Sequence, residues 1–255
     1  MAKRKTSQEN AEKEKKMPVQ GHLSELRSLI IKCCIALVIT TSIGLVFYQP
    51  IFDFLRRPAE DLGLIFTDLT EFIGTYFRVA LSAGIALAMP YLVYQIFAFI
   101  APGMTSKEKR YVLTMLPGVV IMFLLGCAFA YFVAMPPALR FLYTFGSDIA
   151  TPMIKISNYV TVVIRLLLAL GLVFETPVII MALARMGLVT PQWLADKRKY
   201  WIVIAFIISA LITPTFDPIN QTIVAAPLII LYELSIYLSK IVYRERKPQV
   251  APSAT

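Results

Sequence analysis

Residues 159–184 read YVTVVIRLLLALGLVFETPVIIMALA, twenty-six positions broken by only two charged side chains, Arg165 and Glu175. A helix needs roughly 20 apolar residues to cross about 30 Å of hydrocarbon. The stretch therefore predicts a membrane span. Outward from it the pattern recurs at Leu29–Tyr48, Val79–Ile100, Tyr111–Met135 (ending at Pro136-Pro137), Tyr200–Ile212 and Ile223–Leu238. Only 16% of the 255 residues are charged and 58% are hydrophobic, whereas a soluble domain carries about 25% charged residues. The apolar residues also gather in blocks rather than at amphipathic spacing. A soluble globular protein is excluded, and the fold class predicted is an all-α integral membrane protein of six transmembrane helices.

Charge sets the orientation. With the N-terminus inside and six crossings, 19 of the 25 lysines and arginines fall on inner segments and four on outer loops. Arg78 and Arg165 lie within or at the edge of spans. That asymmetry follows the positive-inside rule and predicts both termini in the cytoplasm. It also accounts for the net charge of +9 without a nucleic-acid partner. The fifth segment covers only roughly 20 Å at about 1.5 Å per residue. The last pair of helices is therefore expected to be short, thinning the bilayer, tilting little or forming a re-entrant hairpin. The outer loops Gln49–Glu71 and Pro136–Asn158 are long and hold prolines and aromatic residues, so they are expected to form short interfacial helices or caps. Residues 1–20 read as a flexible cytoplasmic tail, 21–242 as the transmembrane domain and 243–255 as a C-terminal cytoplasmic tail.

Enzymatic chemistry finds no footing. His22 is the single histidine and sits at the membrane edge, which excludes bis-histidine haem ligation and histidine-rich metal sites. A serine–histidine intramembrane protease needs its histidine inside a span. No glycine-rich phosphate loop of the Walker type occurs. Cys33, Cys34 and Cys127 all lie within apolar blocks and read as small membrane-embedded hydrophobes. No catalytic residue, metal or cofactor is expected.

Three carboxylates stand out by position. Glu25 precedes the first span and Glu108 the third, each among basic neighbours at the inner face. They read either as local surface ion pairs, worth about 0–1 kcal/mol, or as a two-point acidic site for a cationic peptide. A carboxylate accepts a guanidinium through two parallel hydrogen bonds, which lysine cannot reproduce. Glu175 lies inside the fourth span, where an ionisable group costs several kcal/mol unless it is paired, protonated or facing water. Asn220, Gln221 and Thr222 are candidate polar neighbours for it, and a proton-linked secondary transporter using Glu175 is the alternative function.

The motif His22-Leu23-Ser24-Glu25-Leu26-Arg27 resembles the N-terminal signature of the TatC family, the polytopic subunit of the twin-arginine translocase. The segment Tyr94-Gln95 through Phe99, Pro102-Gly103, Glu108 and Arg110 is similar to the family's second span and the loop after it. Phe129-Ala130-Tyr131-Phe132, Phe174-Glu175-Thr176-Pro177 and Ile212-Thr213-Pro214 with Asp217 and Gln221 agree in order and spacing. The likeness covers about residues 20–242. One departure is the missing proline in the outer segment Ile65–Phe72.

The resemblance implies a concave, cup-like arrangement of six helices with the last two short, in the cytoplasmic (inner) membrane. It implies a receptor and scaffold for twin-arginine signal peptides of folded precursor proteins, exported on the proton-motive force. Single-span TatA and TatB subunits and other copies of the chain are the implied partners, the former against the fifth span. Glu25 and Glu108 would be the signal-peptide contacts, with Phe99, Lys107 and Arg110 shaping the same loop. Glu175 would be an intramembrane polar site with Gln221 in its cluster.

Overall fold

The computed structural model describes the backbone over 2–100, 106–145, 147–149, 152–215 and 217–243. Side chains are described from 24 to 243 except at 61, 62, 69, 100–113, 146, 150, 151 and 216. The chain is all-helical: α1 (Ala2–Val46), α2 (Tyr48–Arg56), α3 (Leu69–Ile100), α4 (Ser106–Phe129), α5 (Met135–Thr144), α6 (Ile156–Phe174), α7 (Thr176–Arg185), α8 (Pro191–Asp196), α9 (Arg198–Ile212) and α10 (Pro218–Val242). A single π-turn, Ala130–Ala134, joins α4 to α5. Among the described residues five stretches are long and apolar enough to cross a membrane, namely Ser24–Val46, Thr70–Phe99, Thr114–Thr144, Ile156–Arg185 and Pro218–Val242.

The expected pair of short final helices is half right. α9 is short at 15 residues, but α10 runs for 25. Asp217 caps α10 by accepting the Asn220 N–H at 3.0 Å, and Pro218 in the first turn has no N–H to leave unbonded. Pro227 sits inside the helix and does not end it, because neighbouring helices compensate such a lost bond within a bundle. Lys240 in the last turn can reach out along its stem toward the polar side. α9 is clamped to α10 at one end by Arg198 on Glu233, at 2.7 Å from Nε and 3.0 Å from Nη2. Trp201 stacks on Tyr232 at 4.6 Å between ring centroids and donates to the Leu228 carbonyl.

Two crossings depend on small residues, as membrane helices lacking a hydrophobic drive between them require. α1 lies along α3, where a Cβ on Gly84 would stand 2.5 Å from the Thr41 hydroxyl and 2.7 Å from its backbone. α4 meets α6, where a Cβ on Gly126 would stand 2.7 Å from the Leu170 carbonyl oxygen. Between α6 and α7 the helix breaks at Glu175. Pro177 cannot donate to the Val173 carbonyl four residues back, and the Thr176 hydroxyl takes that acceptor instead at 2.5 Å. The break thereby leaves no orphaned carbonyl there.

The two long loops do form a cap, at the end where α3 and α6 begin. Ile65 donates to the Ile154 carbonyl and Ile156 donates back to Ile65, at 3.1 and 2.9 Å. The Glu71 carboxylate accepts from the backbone N–H and hydroxyl of Thr67 and of Ser157, over 2.5–3.2 Å. The missing proline of Ile65–Phe72 thus leaves the cap closed. α2 is held down through its C-terminal carbonyls, which have no intrahelical donors. Tyr131 donates to Phe54 at 2.8 Å and Tyr159 to Leu55 at 2.7 Å.

Tyr159→Phe is expected to lower stability by about 1 kcal/mol, since it orphans a buried acceptor. Faster hydrogen exchange confined to α2 would locate the loss. Exchange unchanged there would mean that the hydroxyl does not secure the cap.

Candidate functional site

At the end opposite the cap, α1 and α3 enclose a small cavity of about 200 Å³ lined by Glu25, Ser28, Leu29, Lys32, Gln95, Ala98 and Phe99. The helical repeat explains the grouping. Glu25, Ser28, Leu29 and Lys32 follow at three- and four-residue intervals and share one face of α1. Gln95 and Phe99 do the same on α3. Close contact between the two helices, made possible by Gly84, brings the faces together. Gln95 is buried at 8% exposure and donates through its amide nitrogen to the Tyr91 hydroxyl at 2.7 Å. Its remaining acceptor is the amide oxygen. Glu25 and Lys32 are exposed and Phe99 is half-buried.

Lys32 apart, whose ammonium repels a cation, the lining suits a guanidinium. A carboxylate and an amide oxygen accept its N–H groups, and an aromatic ring offers a face to its plane. A second cavity of about 370 Å³ adjoins the first and shares Lys32 with it. Ile35, Ala36, Ile39, Thr40, Leu87, Ala88 and Tyr91 complete its wall. Polar lining thus gives way to an apolar groove that continues between α1 and α3.

Of the expected contacts, Glu25 and Phe99 are brought together. The side chains of Lys107, Glu108 and Arg110 lie outside the described residues, and their backbone opens α4. Ser28 and Lys32 were not singled out from the sequence, and Gln95 entered only as part of the segment that carries the family likeness. The four-residue step from Gln95 to Phe99 and the spacing around Glu25 were the available signals.

Glu175 and Gln221, expected in one polar cluster, make no hydrogen bond to each other. Glu175 is fully buried, and its carboxylate oxygens have no hydrogen-bond partner among the described residues. Gln221 donates to the Phe206 carbonyl of α9 at 3.0 Å. Asn220 belongs to the α10 cap, and Thr222 bonds the Pro218 carbonyl. Register explains the miss. Arg185 donates to the Val242 carbonyl at 3.3 Å, which sets α7 against α10. Ten residues back from each contact stand Glu175 and Tyr232, and Gln221 is about 16 Å of helical rise farther on.

Among the described residues no group of histidines, cysteines and carboxylates could hold a metal ion. A further cavity of about 480 Å³ between α3, α4 and α6, beneath α2, is lined almost wholly by apolar side chains including Ala83, Leu124 and Leu168.

The family described as Sec-independent protein translocase protein (TatC) matches residues 21–227. The Sec-independent protein translocase protein TatC of Carboxydothermus hydrogenoformans is 38% identical over 231 residues, covering 90% of this chain and 95% of that one. The protein of the same name from Aquifex aeolicus is 38% identical over 237 residues, covering 91% and 98%. A crystal structure described as the twin arginine translocase receptor TatC superposes with a TM-score of 0.75 at 38% identity. It covers 88% of this chain and 100% of that one.

Proposed function

The chain belongs to the TatC family of Sec-independent protein translocase proteins, and from that premise we propose how it serves as the receptor subunit of a twin-arginine translocase. It is a multi-pass membrane component of protein transport, not an enzyme. Its substrates are the twin-arginine signal peptides of folded precursors, moved on the proton-motive force. Both termini face the cytoplasm, the cap faces outward, and α9 makes the sixth crossing of a concave cup. The 19-to-4 distribution of basic residues supports that orientation.

The observation that carries the reading is the convergence of Glu25, Gln95 and Phe99 on one cavity at the end opposite the cap. One arginine of the signal binds there. Glu108, with Lys107 and Arg110 beside it, contributes the second acidic contact from the start of α4. An apolar stretch of the same peptide follows the groove past Lys32. Glu175 and Gln221 are separate polar positions within the bundle. α9 leaves Val203, Ile207 and Leu211 exposed along one face. That apolar stripe on a helix too short for the bilayer suits single-span TatA- and TatB-type subunits, with further copies of the chain completing the assembly.

The test is co-purification of a twin-arginine precursor with the full chain and with its Glu25→Ala, Glu108→Ala variant. Capture by the native chain and loss in the variant are expected. Undiminished capture would remove the acidic site.

A further inference from the structure

Two arginines on α3 and α6, in the cap-end half of the bundle, remain outside the signal-peptide reading. Arg78 of α3 donates through Nη1 to the Thr161 hydroxyl at 2.5 Å and to the Ser157 carbonyl at 3.4 Å, both on α6. Arg165 follows Thr161 by four residues, so it lies on nearly the same face one turn deeper. It is exposed and makes no hydrogen bond or ion pair among the described residues. Glu71, held by four hydrogen bonds from Thr67 and Ser157, stays ionised and offsets only one of the two positive charges. The seam between α3 and α6 therefore keeps an excess of positive charge within two predominantly apolar helices. A charge in that setting requires an anion or the aqueous boundary.

Depth and surroundings identify the anion. Tyr48, Phe52, Phe72 and Tyr76 form a ring cluster with centroids 4.3–6.5 Å apart, just above Arg78 on α3. Tyr48 is buried, but Phe72 and Phe77 face outward from α3, and outward-facing aromatics near the end of a span mark headgroup level. The long stem of Arg165 lets its guanidinium reach up toward the same level. Below the pair the seam is flanked by exposed Leu81 and Leu172, an apolar surface suited to acyl chains. Guanidinium groups above and aliphatic side chains below complement a phospholipid rather than a free ion.

We propose that Arg78 and Arg165 bind the phosphate of an anionic phospholipid in the leaflet at the cap end, with Thr161 positioning Arg78. Planar donors match phosphate oxygens bidentately, and the bound lipid neutralises the seam.

The test is native mass spectrometry of the detergent-solubilised full chain, titrated with phosphatidylglycerol or with phosphatidylcholine of the same acyl chains. Phosphatidylglycerol is expected to bind about tenfold more tightly. Arg78→Gln with Arg165→Gln removes that preference, and Arg165→Gln alone weakens it about threefold. If the double variant fails to elute as a monodisperse species, the single variant decides, because Arg165 is exposed and makes no hydrogen bond or ion pair among the described residues. Millimolar inorganic phosphate should leave the lipid bound; displacement by it would assign the pair to a free anion and overturn the proposal. Equal binding of both lipids, or a preference untouched by the substitutions, would also overturn it. So would an unchanged lipid preference together with loss of a co-purifying single-span subunit, which would assign the pair to a protein contact.

Discussion

Glu25→Ala is expected to weaken capture of an Arg-Arg signal peptide by about tenfold to a hundredfold while leaving the chain folded. A hydrogen bond to a charged group contributes about 1.5–3 kcal/mol, and each 1.4 kcal/mol is tenfold in affinity. An exposed ion pair alone would contribute about 0–1 kcal/mol. The larger figure applies because the peptide's guanidinium would meet the Gln95 amide oxygen as well as the Glu25 carboxylate, so that more than a bare exposed ion pair is lost. Folding should not suffer, since Glu25 is exposed near the start of the first span. Cross-linking of a labelled signal peptide to detergent-solubilised protein would measure the loss, with circular dichroism as the check on folding. A variant that retained native affinity would mean that Glu25 is only a solvated neighbour of Arg27.

Gly126→Ala is expected to cost about 1–3 kcal/mol, the usual range for overpacking. The added carbon would stand 2.7 Å from the Leu170 carbonyl oxygen and 2.8 Å from the Gly171 Cα. Both are backbone atoms, which cannot rotate aside, so α4 and α6 must separate. Gly118 on the same helix supplies the control, because its Cβ would meet only a Val178 methyl at 4.0 Å. There alanine should be neutral or stabilising by up to about 1 kcal/mol, through its better helix propensity. Thermal unfolding in detergent would compare the two, and equal midpoints would show that close helix approach at Gly126 does not matter.

The contrast between these glycines was not legible in the sequence, since nothing in a local window says which one faces a neighbouring backbone. The spans were legible because hydrocarbon thickness imposes a length that needs no knowledge of partners. Residues 159–184 show this well, with α6 and α7 together running from Ile156 to Arg185. Ends were less legible. α3 starts at Leu69, ten residues before the expected Val79, because its first turns are aromatic and polar and belong to the cap rather than to an apolar run. α10 begins before Ile223 because a proline in a first helical turn reads as a breaker but behaves as a starter.

Tertiary pairings were beyond reach from spacing alone. Glu71 and Ser157 are 86 positions apart, and their bond depends on how two loops meet. Glu25 with Phe99 was anticipated only through the family likeness. That Gln221 bonds α9 rather than Glu175 was not legible, because residue order carries no information on the depth of one helix against another.

The most direct test of the receptor reading is a double-mutant cycle between the chain and its signal peptide. Binding would be measured for native chain and Glu25→Gln, Glu108→Gln variant, each with Arg-Arg and Lys-Lys peptides. A carboxylate that reads planar guanidinium groups predicts that the native chain prefers Arg-Arg by about tenfold or more. It also predicts that the variant binds both peptides weakly and alike. An Arg-Arg preference that persists undiminished in the variant would contradict the account.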